Sequence, residues 1–151
     1  MSHLTPPSDL TRRQPRSVRA RLGGYVILPR IIDKCRAVVA GTNGDYNYAC
    51  PLDMQFFEFV SIDPRAFKKQ VEAGLGDGQL LEWVRANTGT KRSPHEIHLW
   101  SRFQEDRTPS GVEMREYFNE AHKGVAPDRE DIATWFDWLD LDDYASYGGK
   151  V

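Results

Sequence analysis

The chain has little cysteine and no long hydrophobic run. Cys35 and Cys50 are the only two cysteines in 151 residues, which excludes a disulfide-stapled secreted scaffold. A Cys35–Cys50 bridge is the one pairing available, but reduced thiols are expected. The longest apolar cluster, Tyr25–Leu28, stops at Pro29 and Arg30, far short of the ~20 residues that cross a bilayer. The opening Met-Ser-His-Leu-Thr-Pro-Pro lacks the apolar core of a signal peptide. A soluble cytoplasmic protein with no membrane partner is expected. A strong net charge is also missing: 20 Lys and Arg face 22 Asp and Glu, for −2 overall. That argues against binding nucleic acid through bulk charge.

The near-neutral total conceals an asymmetry. Residues 1–42 carry eight Lys and Arg against two Asp, or +6, while residues 43–151 carry twelve against twenty, or −8. The basic part concentrates in Arg12, Arg13, Arg16, Arg19 and Arg21, and acids crowd at Asp137, Asp140, Asp142 and Asp143. Residues 1–21 hold three prolines, five arginines and few large apolar side chains. Such a stretch reads as a flexible Arg-rich arm, because it buries too little to offset its ordering entropy. No aromatic residue interleaves the arginines, so nucleic acid is not the expected partner.

Residues 22–147 read as one domain of helices separated by Gly and Pro. From Leu28 to Ala40, Leu28, Ile31, Ile32, Cys35, Val38 and Val39 form one apolar stripe, with Arg30, Asp33, Lys34 and Arg36 opposite. Gly41 terminates that helix. A loop from Thr42 to Pro51 precedes a helix near Asp53–Phe59, and Asp63-Pro64 opens the next. Asp77 is expected to cap a segment from Gln79 to Ala86. Ser93…Glu96 and Ser110…Glu113 have capping-box spacing, and Pro127–Asp131 places acids at a further helix start. No sustained period-2 pattern is present. The expectation is an all-α fold, an irregular array of about six or seven short helices.

Chemistry is sparse. His95 and His98 share a helix side with Arg102 but lack a third metal ligand, so a solvated face is expected. Counted from Asp140, the acidic cluster lacks the Gly and closing Glu of a calcium loop; it is read as hydrated, or as paired with the arginine arm. No metal site and no cofactor motif emerges. Neither cysteine has a local base for nucleophilic work. Trp138 lies off the Ile132–Trp135–Phe136–Leu139 stripe and is the tryptophan suspected of lining a groove. Arg30, Asp33 and Lys34 read plainly as a surface ion-pair group. With Tyr46, Tyr48 and the flexible Gly23-Gly24 they form the candidate anion-binding surface.

The string Leu22-Gly23-Gly24-Tyr25 through Pro29-Arg30-Ile31-Ile32-Asp33-Lys34-Cys35-Arg36-Ala37 is distinctive, as is Asp131-Ile132-Ala133-Thr134-Trp135-Phe136-Asp137. Over roughly residues 16–143 the chain resembles an uncharacterised bacterial family described only as a small domain of unknown function. The resemblance implies a bacterial, cytoplasmic, single-domain protein and supplies no catalytic residues. The leading functional expectation is a non-catalytic domain that binds a protein partner or an anionic small molecule. The alternatives are a small enzyme with Asp33 or Asp45 as acid/base, and a homo-oligomer whose arm docks on a neighbour's acids.

Overall fold

A computed structural model describes residues 9–151, so the first eight residues of the expected arm lie outside the described residues. Seven helices follow a minimal hairpin: β1 Arg21–Leu22, β2 Tyr25–Val26, α1 Leu28–Ala40, α2 Pro51–Val60, α3 Pro64–Glu72, α4 Asp77–Asn87, α5 Pro94–Asp106, α6 Gly111–Val125 and α7 Trp135–Ser146. The fold is a single, essentially all-α domain. No described helix is long and apolar enough to cross a membrane.

The hairpin is the only sheet among the described residues, with Arg21 opposite Val26 and Leu22 opposite Tyr25. Gly23 and Gly24 form its two-residue turn, both with positive φ (59° and 86°), as a primed turn requires. A Cβ on Gly23 would fall 2.5 Å from a Leu81 methyl. These glycines therefore build a turn packed on α4 and do not open the backbone to an anion.

The chain enters α1 through Ile27, fully buried with φ 73°, an uncommon state for a β-branched residue. Its N–H donates to the Val18 carbonyl at 3.0 Å, and its own carbonyl accepts from Ile31 at 2.9 Å. Helix α1 is buried from Leu28 to Cys35, not along one stripe as expected. Its charged side can be covered because each ion meets an opposite charge from another segment: Arg30 with Asp143, Asp33 with Arg16, Lys34 with Asp53. These are not surface pairs between helix-face neighbours.

Around α1 the main core collects Val26, Phe56, Phe57, Phe67, Leu80 and Val84. The rings of Tyr25 and Phe56 meet edge to face at 5.3 Å, as do Phe56 and Phe57 at 5.4 Å, a favoured aromatic geometry. A second, small cluster joins Phe118 of α6 to Ala126, Ile132 and Leu141. Phe118 is the only fully buried residue of α6, whose Val112, Met114 and Tyr117 are exposed.

Several helix starts differ from expectation. Ser93 and Glu96 do form a reciprocal capping box, each accepting a backbone N–H at 3.1 Å. Ser110 makes no side-chain cap. Pro127–Asp131 begins no helix; α7 starts at Trp135, where Thr134 accepts the Asp137 N–H at 3.1 Å and Asp137 accepts the Thr134 N–H at 3.0 Å. Asp77 is inside α4, with Gly76 at the cap donating to the Gln79 side chain at 2.9 Å.

Residues 9–21 lie against the helices. Leu10 and Val18 are buried, and Arg19 pairs with Asp137 at 2.5 Å and Asp140 at 3.0 Å. The pairing of arginines with the acidic cluster is therefore made within one chain, and it uses acids inside α7, which continues to Ser146.

Candidate functional site

Two large clefts flank α1. One, about 1020 Å³, lies between residues 13–17, the start of α4 and the end of α7. Apart from the exposed Arg13, its charges are interlocked. Arg16 holds Asp33 at 3.0 Å and Asp77 at 2.7 Å, and Arg36 also reaches Asp77 at 3.0 Å. Burial would lower the Arg16 pKa, but its hydrogen bonds to Asp77 and Asp33 carry it far above its ordinary value. Asp33 belongs to this network and not to a surface shared with Tyr46.

The other cleft, of about 850 Å³, runs between α1, the 42–50 loop and α2 on one side and the end of α5 with α7 on the other. It takes in Arg30, Lys34, Asp45 and Tyr46 of the expected residues and adds Arg107, Gln55, Cys50 and Asp142, with Trp135 and Trp138 as apolar wall. Trp138 thus occupies the groove position that its place off the apolar stripe suggested. Tyr48 is not part of this cleft: its hydroxyl donates to the Pro64 carbonyl at 2.6 Å and its ring packs on Phe57. Burial, then the neighbouring charges of Cys35 and Asp53, push its phenol well above the ordinary range.

The cations expected to hold an anion are already neutralised. Arg30, 4% exposed, grips Asp143 with both terminal nitrogens, at 2.6 and 3.2 Å. Tyr46 donates to the same carboxylate at 2.8 Å, and the guanidinium lies over its ring. Burial, then the hydrogen bond to Asp143, raises the Tyr46 phenol strongly. For Arg30, burial acts downward and is outweighed by Asp143, leaving the pKa raised. Lys34, 3% exposed, directs its ammonium at Asp53 (2.8 Å), the Asn47 carbonyl (3.1 Å) and the Cys50 sulfur (3.4 Å). An ammonium has three N–H donors, so none remains for a ligand. Asp53 is closed in turn by the Ala49 N–H at 2.9 Å.

Three charged groups of this cleft are left open. Asp45 is exposed and makes no hydrogen bond or ion pair among the described residues. Arg107 has no carboxylate partner among the described residues; its one side-chain hydrogen bond goes to the Gln104 side-chain oxygen at 3.3 Å. Asp142 makes no hydrogen bond or ion pair among the described residues. Burial and the adjacent Asp143 raise its pKa against the pull of Arg30. Both thiols are free. Burial raises Cys35 to about 12, an inert core thiol. His95 and His98 are exposed, and the one side-chain hydrogen-bond partner of His98 among the described residues is Arg21, at 3.4 Å.

Residues 12–145 match the family model described as a domain of unknown function (DUF5069). The chain belongs to that family. No curated protein matches it. The matched DUF5069 region contains α1 and α2 on one side of the 850 Å³ cleft and Arg107 and Trp135 on the other. The family description carries no activity.

The sequence reading missed Arg107, Gln55 and Asp142 as individuals. Arg107 follows α5 directly and precedes Pro109, which places it at a helix end. Nothing in the linear pattern shows that, of the three cations lining this cleft, it alone has no carboxylate partner among the described residues.

Proposed function

We propose that this protein is a non-catalytic binding domain and that its ligand is an anionic small molecule held in the 850 Å³ cleft. One observation carries the reading: Arg107 presents an unneutralised guanidinium to a cleft walled by Trp135 and Trp138. Clefts of this size with apolar walls and a few converging polar groups suit small ligands. Arginine is also the side chain best shaped for carboxylate or phosphate. The test is a thermal-shift and calorimetric screen of small carboxylates and phosphate monoesters. A ligand that binds the native chain is expected to lose about tenfold or more in affinity to Arg107→Gln, the weight of one charge-assisted hydrogen bond. Equal binding by the variant refutes the reading.

A second reading, a small enzyme acting on a polar or anionic substrate, is favoured by the unpaired, upward-shifted carboxyl of Asp142 in the same cleft. It moves the acid/base role from the expected Asp33, locked by Arg16, or the exposed Asp45 to the half-buried Asp142. Turnover of a bound ligand that Asp142→Asn abolishes without weakening binding would select it.

A further inference from the structure

Helix α5 buries two polar side chains, Ser101 and Gln104, while Leu99 and Phe103 beside them are exposed. Ser101 is explained by the hairpin: its hydroxyl donates to the Gly24 carbonyl at 2.6 Å and accepts the Val26 N–H at 3.2 Å. Gln104, 1% exposed, has no such backbone duty. Its two partners are Arg107 and Gln55, and both line the cleft.

The chemistry of arginine sets the polarity of this chain of three. A guanidinium only donates. The Gln104 atom 3.3 Å from the Arg107 guanidinium is therefore its carbonyl oxygen, and its NH2 faces the other way. That NH2 lies 3.3 Å from Gln55, which must present its own oxygen. The Gln55 NH2 is then the end left to the cleft, and it meets no acceptor among the described residues. One buried amide thus holds two donor groups from behind, and no protein acceptor satisfies them in front. Both residues are only half-buried, so these donors face water, and a ligand oxygen can take the place of that water.

We propose that Gln55 and Arg107, held in place by Gln104, form an oxyanion subsite that takes the carboxylate of a ligand whose apolar body lies against Trp135. This rests on the binding role proposed for the cleft and names its ligand class. A carboxylate suits the site better than a phosphate dianion, because Arg107 is the single unneutralised cation there. Arg30 and Lys34 are closed by Asp143 and Asp53. The apolar wall adjoins the anchor: the Trp135 N–H donates to the Arg107 carbonyl at 3.0 Å, and its ring is braced edge-on by Phe118 at 5.3 Å.

The experiment titrates benzoate, benzamide and phenyl phosphate into the full-length protein and follows the side-chain amide and guanidinium NMR signals of Gln55 and Arg107. Benzoate is expected to move both sets of signals, while uncharged benzamide moves neither. Gln104→Glu is the decisive variant. The new carboxylate would pair with Arg107 and turn Gln55 so that its oxygen faces the cleft, lowering benzoate affinity about tenfold or more. Arg107→Gln, at a half-buried position, gives the same loss without altering Gln104. Benzoate that loses affinity to Arg107→Gln but binds Gln104→Glu as well as the native chain overturns the subsite and leaves the binding cleft, while equal binding by both variants overturns both. Phenyl phosphate that binds more tightly than benzoate overturns the carboxylate assignment alone. If no probe moves any cleft signal, the subsite and the binding role fall together.

Discussion

On the α1–α2 wall of the cleft, each cation is closed by a carboxylate from a different part of the chain. On the α5–α7 wall, Arg107 is held only by a neutral amide. The first wall is continuous with the main core: Asp53 and Phe56 share α2, and Arg30, Ile31 and Lys34 share α1. The second rests on the small cluster around Phe118. The contrast separates charge that holds the fold from charge that is available. A buried ion pair is not spare binding capacity, however prominent its residues look, because removing either partner strands the other in a low dielectric. A half-buried arginine without an acid can exchange hydration for a ligand.

Breaking the first wall should have the largest effect. Asp53→Ala leaves the buried Lys34 ammonium without its counter-ion and is expected to destabilise the protein by about 3–5 kcal/mol, measured by denaturant unfolding. A loss below about 1 kcal/mol, the range of exposed pairs, would show that the two walls are not distinct in this respect.

Phe118→Ala addresses the second wall. Truncating a buried Phe costs about 3–5 kcal/mol in a full core, and less is expected here because the cluster is small. The sharper readout is local: hydrogen exchange should quicken in residues 111–125 while α1 and α2 keep their protection. Equal loss of protection in both regions would mean a single cooperative core.

The smallest effect concerns Asp142. Its folded pKa is raised above 3.8 by burial and by Asp143. The ionised carboxylate therefore opposes folding, fully so above the raised folded value, and the penalty vanishes below the unfolded one. Asp142→Asn should raise the melting temperature slightly at neutral pH and lose that advantage below 3.8, with solvent screening keeping the gain modest. Melting curves of both proteins on the two sides of that value decide it. A gain that persists in acid would remove the electrostatic explanation.

Many of the local signals made by neighbours in sequence were legible, although Ser110 makes no cap and Asp77 lies inside α4. The bounds of α1, the Asp63-Pro64 start and the Ser93 capping box follow from spacing alone, because caps and helical stripes are made by residues three or four apart. The reading failed where two local signals competed. Pro127–Asp131 and Thr134…Asp137 both resemble helix starts, and the second prevails, with Thr134 and Asp137 satisfying each other's backbone N–H groups. Gly23-Gly24 was legible as a permissive pair, but only strand pairing shows that its use is a hairpin turn.

The candidate site was half visible. Arg30, Lys34, Asp45, Tyr46 and Trp138 do line one cleft. Asp33 and Tyr48 share its neighbourhood in sequence yet face other partners, because successive residues of a helix or loop point in different directions. Gln104 lay outside the reading because a buried glutamine has no distinctive sequence mark. Its signal is the spacing Ile97, Trp100, Ser101 and Gln104, a helical stripe half of whose members are polar, beside the exposed Leu99 and Phe103.

By itself the sequence determined the helical class, the rough order of elements and the separation of basic from acidic residues, since these rest on composition and short-range pattern. Tertiary structure decided which charges meet. Arg30 closes on Asp143 across 113 positions and Arg16 on Asp77 across 61, while Arg107 meets no acid. Those outcomes depend on how helices pack, because the Coulomb energy of a pair is set by distance and dielectric, and separation along the chain specifies neither.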